Sequence, residues 1–409
     1  MQIIVGINNL RFCLLIILQI SGWTYAQNWN QITDFPGTQR DDGTSFVIGN
    51  TSYCGTGNLP WGVGTIDFYA LDMSDDSWNQ IASLPAGEER QYACGFSSAT
   101  HGYIFGGYNA GNFFNDLWQY DPISNTWLEK TPLPDVGRSA SAYFVIGDTA
   151  YFVCGKTATD YAINEVWAYN MTNDTWQQKN NFPFGNRWRS CGIASPTKGY
   201  LIFGKDETFV YPTALYEFDP LTNSWIQISN FPGIGRTHSK AVFYGGNIVL
   251  LSGYDSLNIS YNDMWRYDLA DNLWFQLNAI PAVERRAGMC FTNSVALYYT
   301  AGINSSNGKI KETWKNINPT EISENPEELF FDLFPNPANS KVNLTFNQVK
   351  NFEILSIIIY DLSGKEIFCE SNPGNLKTLE IDVSEFESGT YLINILTTEF
   401  STTKKLIVL

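Results

Sequence analysis

Six arginines could carry chemistry. Arg40, Arg138, Arg187, Arg236 and Arg285 each stand eleven residues after a tryptophan, and Arg90 stands twelve after one. Evenly spaced guanidinium groups suit two arrangements: a crown that binds anions, or a set of forks that each grip a carboxylate and tie two strands together. Carboxylates recur in step with them, as Asp67, Asp116, Glu165, Asp263 and Glu312, which favours bridges. The fourth cycle breaks the rule, because Ala214 leaves the carboxylate position empty. Arg187, or a neighbouring arginine, is therefore the one freer to meet a ligand.

A second set lies in the most variable stretches of the chain. Trp61, Tyr108, Phe113, Phe114, Tyr161, Tyr211, Tyr254 and Tyr261 stand there beside Asp160, Asp206 and Asp255. Rings next to hydrogen-bonding groups suit recognition of a sugar or a protein, although half of such rings would serve loop packing. With Arg187, these rings and acids other than Tyr261 form the candidate ligand contacts.

Signals for catalysis are sparse. The two histidines, His101 in a hairpin turn and His238 on a strand, occupy non-equivalent positions and are not expected to converge. No His-Glu-x-x-His, Gly-x-Ser-x-Gly, phosphate-loop or EF-hand pattern occurs, so no catalytic residue, cofactor or metal ligand is assigned. Cys94, Cys191 and Cys290 are read as occupying the same place in alternate cycles, as small packing residues. A second reading pairs Cys54 with Cys94 and Cys154 with Cys191 as disulfides.

What positions these groups is a repeat. Trp29, Trp78, Trp127, Trp176, Trp225 and Trp274 are each 49 residues apart. Six residues after each comes an apolar residue before proline, from Phe35-Pro36 to Ile280-Pro281. A glycine closes an apolar run in each cycle, at Gly55, Gly107, Gly155, Gly204, Gly253 and Gly302, and an aromatic follows forty residues after the tryptophan, at Tyr69, Trp118, Trp167, Tyr216, Trp265 and Trp314. One period reads as four short strands, such as 141–146, 150–154, 165–169 and 175–178, joined by turns like Gly147-Asp148. Four antiparallel strands make one propeller blade, too small to stand alone and stable only when stacked in a ring.

The first cycle has a fourth strand without the preceding three, and the last has three without a fourth. Five whole repeats plus one shared between the two ends predict six blades, with the N-terminal strand closing the ring. The order Leu-Pro, Arg, Gly-Gly, Trp-x-Tyr-Asp and Trp resembles the kelch repeat over residues 27 to 316. It is weak only at the glycine pair, where Cys54, Cys154, Phe203, Ser252 and Ala301 stand first. That resemblance implies an all-β six-bladed propeller. A copper radical centre of the galactose oxidase kind, known on some kelch propellers, would need two histidines together with tyrosines, which this chain does not offer.

The totals agree with an all-β secreted chain. Aromatic residues make up 15% and charged residues 16% of 409 residues, and a formal charge of −16 argues against nucleic acid as a partner. Residues 1–26, with Arg11, an apolar run and Thr24-Tyr25-Ala26, read as a signal peptide rather than a buried first strand. No transmembrane segment is expected. Residues 317–329 read as a linker, and residues 330–409 as a small Ig-like β-sandwich. Phe334-Pro335-Asn336-Pro337, Tyr360-Asp361 through Gly364-Lys365, Gly389-Thr390-Tyr391 and Lys405-Leu406-Ile407 resemble the type A C-terminal sorting domain of the type IX secretion system in Bacteroidetes. That implies a partner in the secretion machinery and release from the cell or attachment to the outer-membrane surface.

The reading of function is a displayed or released binding or scaffold module for a glycan or protein ligand, not an enzyme. The alternative is an enzyme that resembles the sialic-acid mutarotases, also six-bladed kelch proteins, using arginines and carboxylates along the channel.

Overall fold

The computed structural model describes residues 29–317, 319, 331–346, 353–362, 365–374, 376–397 and 401–409. The expected signal peptide, nearly all of the expected linker and the Ser363-Gly364 part of the predicted turn lie outside them. Contacts divide the chain into two units, with residues 28–324 in one and residues 325–409 in the other.

Among the described residues the larger unit contains six antiparallel sheets of four or five strands and a two-stranded hairpin, Tyr108–Asn109 with Asn112–Phe113. Blade one is Thr44–Ile48, Thr51–Gly55, Phe68–Asp72 and Ser77–Ile81; blade three is Ala142–Ile146, Thr149–Gly155, Ile163–Asn170 and Thr175–Gln178. Blades two, four and five begin with Cys94–Ser97, Cys191–Ala194 and Lys240–Tyr244. The sixth joins both ends of the unit: Trp29–Ile32 pairs with Lys309–Asn316, Trp29 opposite Asn316, beside Leu297–Asn304 and Met289–Thr292. The first strands of consecutive blades touch in cyclic order, and that of blade six touches that of blade one. Closure leaves no unprotected first or last blade.

The repeating residues hold the blades to one another. Trp78, Trp127 and Trp176 donate from Nε1 to the carbonyls of Thr33, Ala82 and Thr131 at 3.1, 2.9 and 2.8 Å, each on the preceding blade. Phe35, Leu84, Leu133, Phe182, Phe231 and Ile280, the residues before proline, are all buried. Burying such a side chain contributes about 1.5–3 kcal/mol.

The glycine of each cycle has a distinct task. Gly107, Gly155, Gly204, Gly253 and Gly302 adopt φ between 90° and 121°. Each donates its N–H to the carbonyl of the next blade's repeat arginine, as Gly107 does to Arg138 at 2.9 Å. Blade one corrects the sequence reading. Gly57, not Gly55, has φ 107° and donates to Arg90 O at 2.8 Å. The residue before it is Thr56, not Cys54, and it shares positive φ with Cys154, Phe203, Ser252 and Ala301. The left-handed backbone is thus imposed by the blade contact even where the side chain disfavours it.

All six cysteines among the described residues are free thiols, four of them buried, which overturns the disulfide reading. Cys94 Sγ instead donates to Ser141 O at 3.6 Å. Register also shifts Cys290 by one place: Met289 pairs with Thr300 while Cys290 pairs with Tyr299, so Met289 holds the position equivalent to Cys94 and Cys191.

The smaller unit has two sheets, Phe331–Phe334, Lys341–Phe346 and Thr378–Asp382 in one, and Ile354–Asp361, Glu366–Gly374, Gly389–Thr397 and Ser401–Val408 in the other. Alternate residues Ile357, Ile359, Ile393 and Ile395 from one sheet and Val342 and Leu344 from the other fill a common core.

Candidate functional site

The arginine crown resolves into bridges in five blades. Arg40 forks onto Asp67 at 2.6 and 2.7 Å and Arg90 onto Asp116 at 2.7 and 2.8 Å. Arg236 meets Asp263 at 2.6 Å, Arg285 meets Glu312 at 2.6 Å and Arg138 meets Glu165 at 2.9 Å. These guanidinium groups are buried. They join strands and are not free to take a ligand.

Two residues after each repeat arginine the chain turns onto the channel mouth. Asp42, Tyr92, Ala140, Arg189, His238 and Ala287 occupy this place, with φ between 51° and 59° in all six. Their backbones link around the axis: Tyr92 donates to Asp42 O, Ala140 to Tyr92 O, Arg189 to Ala140 O, Ala287 to His238 O and Asp42 to Ala287 O, at 2.8 to 3.2 Å. The ring fixes six side chains at one rim, and four of them carry functional groups.

Arg189 donates from Nη2 to the Tyr92 hydroxyl at 2.7 Å. Its guanidinium lies 3.9 Å from the Trp188 ring centre and 4.9 Å from that of Tyr92, and its Nε is buried without a partner. Among the described residues no carboxylate lies within ion-pair distance of it. His238 Nε2 stands 3.9 Å from Asp42 Oδ1, and its Nδ1 shares a 2.9 Å hydrogen bond with Thr237 Oγ1.

Burial sets the protonation of this cluster. It pushes the Asp42 carboxyl up to about 7, helped by the charge of Asp41 and opposed by Arg189, Tyr92 and Lys240. Burial also holds His238 well below the ordinary imidazole value, reinforced by the cations Arg189, Arg286, Lys240 and Lys205. Tyr92 is held above the usual phenol range, again chiefly by burial. At neutral pH the rim therefore presents a neutral imidazole, a neutral phenol, a carboxyl poised between its two forms, and a fixed guanidinium.

Below the rim lies a cavity of about 440 Å³ lined by the first strands of all six blades. Lys240 lines it and, among the described residues, forms no ion pair or hydrogen bond.

The loop residues divide. Tyr161, Tyr211 and Tyr254 gather near the rim. Tyr161 packs edge-on to Trp188 at 5.1 Å, Lys205 lies 5.8 Å from the Tyr211 ring, and Tyr254 meets His238 at 5.8 Å and Arg286 at 4.5 Å. Trp61 is exposed, and Tyr108 packs on Phe113 at 5.0 Å in a small hairpin of its own. Phe114 lies 4.3 Å beneath the Arg90 guanidinium. Asp160, Asp206 and Asp255 accept hydrogen bonds within their own loops, for example from Thr159, Thr208 and Tyr261 at 2.6, 2.7 and 2.8 Å, and so serve loop structure. Arg187 is buried away from the rim against Phe182 and Tyr216.

Asp42, Tyr92, Arg189 and Lys240 escape sequence reasoning because they differ from blade to blade, and His238 is set aside there because its position is not equivalent to that of His101. The usable signal was the offset of two residues from the repeat arginine that Asp42, Tyr92, Arg189 and His238 share; Lys240 stands two residues beyond His238. Among the described residues no group of His, Cys, Asp and Glu could hold a metal ion.

The Attractin/LZTR1 beta-propeller family matches residues 61–306, and the secretion system C-terminal sorting domain matches residues 332–409. A chain ending in that domain is delivered outside the cell or to its surface and meets the secretion machinery on the way. Curated relatives include the N-acetylneuraminate epimerase of Haemophilus influenzae (strain PittEE), 33% identical over 141 residues, or 32% of this chain and 34% of that protein. The N-acetylneuraminate epimerase of Pasteurella multocida (strain Pm70) is 33% identical over 144 residues, 31% and 36% of the two chains. Kelch-like protein 35 of Homo sapiens is 27% identical over 130 residues, 30% and 21% of the two. The chain thus spans about a third of the length of the epimerases it matches. The solved structure of YjhT superposes with a TM-score of 0.60 at 17% identity, over 69% of this chain and 95% of that one, a likeness of fold.

Proposed function

The chain belongs to the Attractin/LZTR1 beta-propeller family, and on that premise we propose that its propeller is an exported binding module for a carboxylated sugar, seated at the channel mouth. The observation that carries this is Arg189, a rim guanidinium held in place by Tyr92 and Trp188 with no carboxylate within ion-pair distance among the described residues. A guanidinium in that state favours a planar carboxylate from outside. Lys205, Lys156 and Arg286 add positive charge around the rim of an otherwise acidic chain, and Tyr161, Tyr211 and Tyr254 supply faces for a sugar ring. Titration calorimetry with N-acetylneuraminate and with uncharged N-acetylmannosamine tests it. Saturable binding of the acid alone, lost in Arg189→Gln, supports the reading; absence of binding by both sugars defeats it.

A second reading has an observation of its own. The Asp42 carboxyl, pushed up to about 7 beside a neutral His238, is suited to exchange protons at neutral pH. Interconversion of sugar anomers needs only that. A base removes the proton of the anomeric hydroxyl while an acid delivers one to the ring oxygen, the ring C–O bond opens to the carbonyl form, and reclosure on the other face returns both protons. The partial match to N-acetylneuraminate epimerases supports it. Following N-acetylneuraminate anomers by NMR decides: a rate at the spontaneous level leaves binding alone.

A further inference from the structure

The departure of blade four from the arginine rule points to a second site, remote in chemistry from the channel mouth. In the other five cycles the repeat arginine and its carboxylate form a built cradle. The guanidinium is buried, and the carboxylate it grips retains between 16% and 36% exposure, so each slot opens toward solvent. In blade four Arg187 is buried in the same way, with 4% of its surface exposed. Ala214 stands where the carboxylate belongs. Among the described residues Arg187 forms no ion pair. Its Nη2 donates to Phe184 O at 2.9 Å, while Nε and Nη1 are buried without partners.

The remaining contacts cannot neutralise the charge. The guanidinium lies 4.7 Å from the Phe182 ring centre and 5.3 Å from that of Tyr216. Rings attract a cation but supply no counter-ion, and a buried charge without one is costly. Phe184, 39% exposed, stacks on Tyr216 at 4.5 Å. We propose that the slot left by Ala214 is a binding site for an external carboxylate of acetate size, which takes the place that Asp or Glu holds in the other blades. The two-pronged geometry at Arg40 and Arg90 shows what such a group would meet.

Thermal unfolding of the purified chain at constant ionic strength tests this, with sodium formate and acetate against sodium chloride and fluoride. The expected result is a saturable rise in Tm of about 2–4 °C with the carboxylates and none with the halides. Ala214→Asp supplies the missing carboxylate internally and should unfold at higher temperature with no further response. Arg187→Met keeps the stem, removes the charge and should also lose the response. All of these comparisons are made in the Arg189→Gln background, which removes the guanidinium at the channel mouth and should itself retain the response. No carboxylate-specific rise in the native chain, an equal rise with chloride, an undiminished rise in Ala214→Asp or Arg187→Met, or its loss in Arg189→Gln would each overturn the proposal.

Discussion

Arg189 and Tyr92 lie 97 residues apart in sequence, yet the arginine Nη2 donates to the tyrosine hydroxyl at 2.7 Å across the channel mouth. That bond, with Trp188 stacked beneath, aims the guanidinium without neutralising it. Arg189→Gln should weaken binding of a carboxylated sugar by roughly 10–100-fold, the range for losing a hydrogen bond to a charged group. Calorimetry measures the change. Unaltered affinity would remove Arg189 from the site.

Asp42 gives the rim a pH signature. Its carboxyl binds a proton more tightly when folded, at about 7, than at the unfolded value near 3.8. The folded state then holds more protons between those values, so this residue's contribution to stability is complete below about pH 4 and is lost as pH rises to about 7. Asn tolerates the left-handed backbone that Asp42 adopts. Asp42→Asn should therefore be more stable than the native chain at pH 8, with the gain shrinking as pH falls toward 4. Urea midpoints from pH 4 to 8 test this, and a gain independent of pH would contradict it.

Ring closure rests on the first strand. Trp29 is buried, and its Nε1 donates to Asn278 O at 3.3 Å on the preceding blade. Trp29→Ala should destabilise the propeller by about 3–5 kcal/mol. Denaturant unfolding followed by tryptophan fluorescence checks it; a loss under 1 kcal/mol, which is roughly the low end for any point substitution, would mean that the sixth blade closes by other contacts.

Close packing between neighbouring blades requires glycine at defined places. A Cβ on Gly102 would fall 1.9 Å from the Phe46 ring, whereas one on Gly147, at φ 58°, would meet nothing within 4 Å. Gly102→Ala should cost about 1–3 kcal/mol, and Gly147→Asn should be close to neutral. The ranking of the two Tm values is the readout, and reversal would refute the inter-blade register.

Thiol chemistry separates the two readings of the cysteines. With every described cysteine free, the unfolded propeller and sorting domain should titrate six thiols without reductant. In the native chain only the exposed Cys369 should react quickly, since burial pushes Cys54, Cys154 and Cys191 up to about 12. A count of two would restore both inter-blade disulfides.

The sequence by itself determined the scaffold. Most blades repeat the same contacts, so the tryptophans at intervals of 49 residues, the apolar residue before proline, the glycine and the arginine recur visibly, and five arginine–carboxylate bridges could be read from spacing alone. Ala214 marked the missing bridge in the same way. Repetition also hid the channel mouth. Asp42, Tyr92, Arg189 and His238 are single residues in four different repeats, and each looks like noise against the pattern. Gly57 follows Trp29 at the same interval at which Gly155, Gly204, Gly253 and Gly302 follow their tryptophans, but Gly55, which ends the strand Thr51–Gly55, also closes the apolar run and is taken in its place. Only ring closure puts these four side chains on one rim. Only burial there, a property of all six blades together, raises Asp42 and lowers His238.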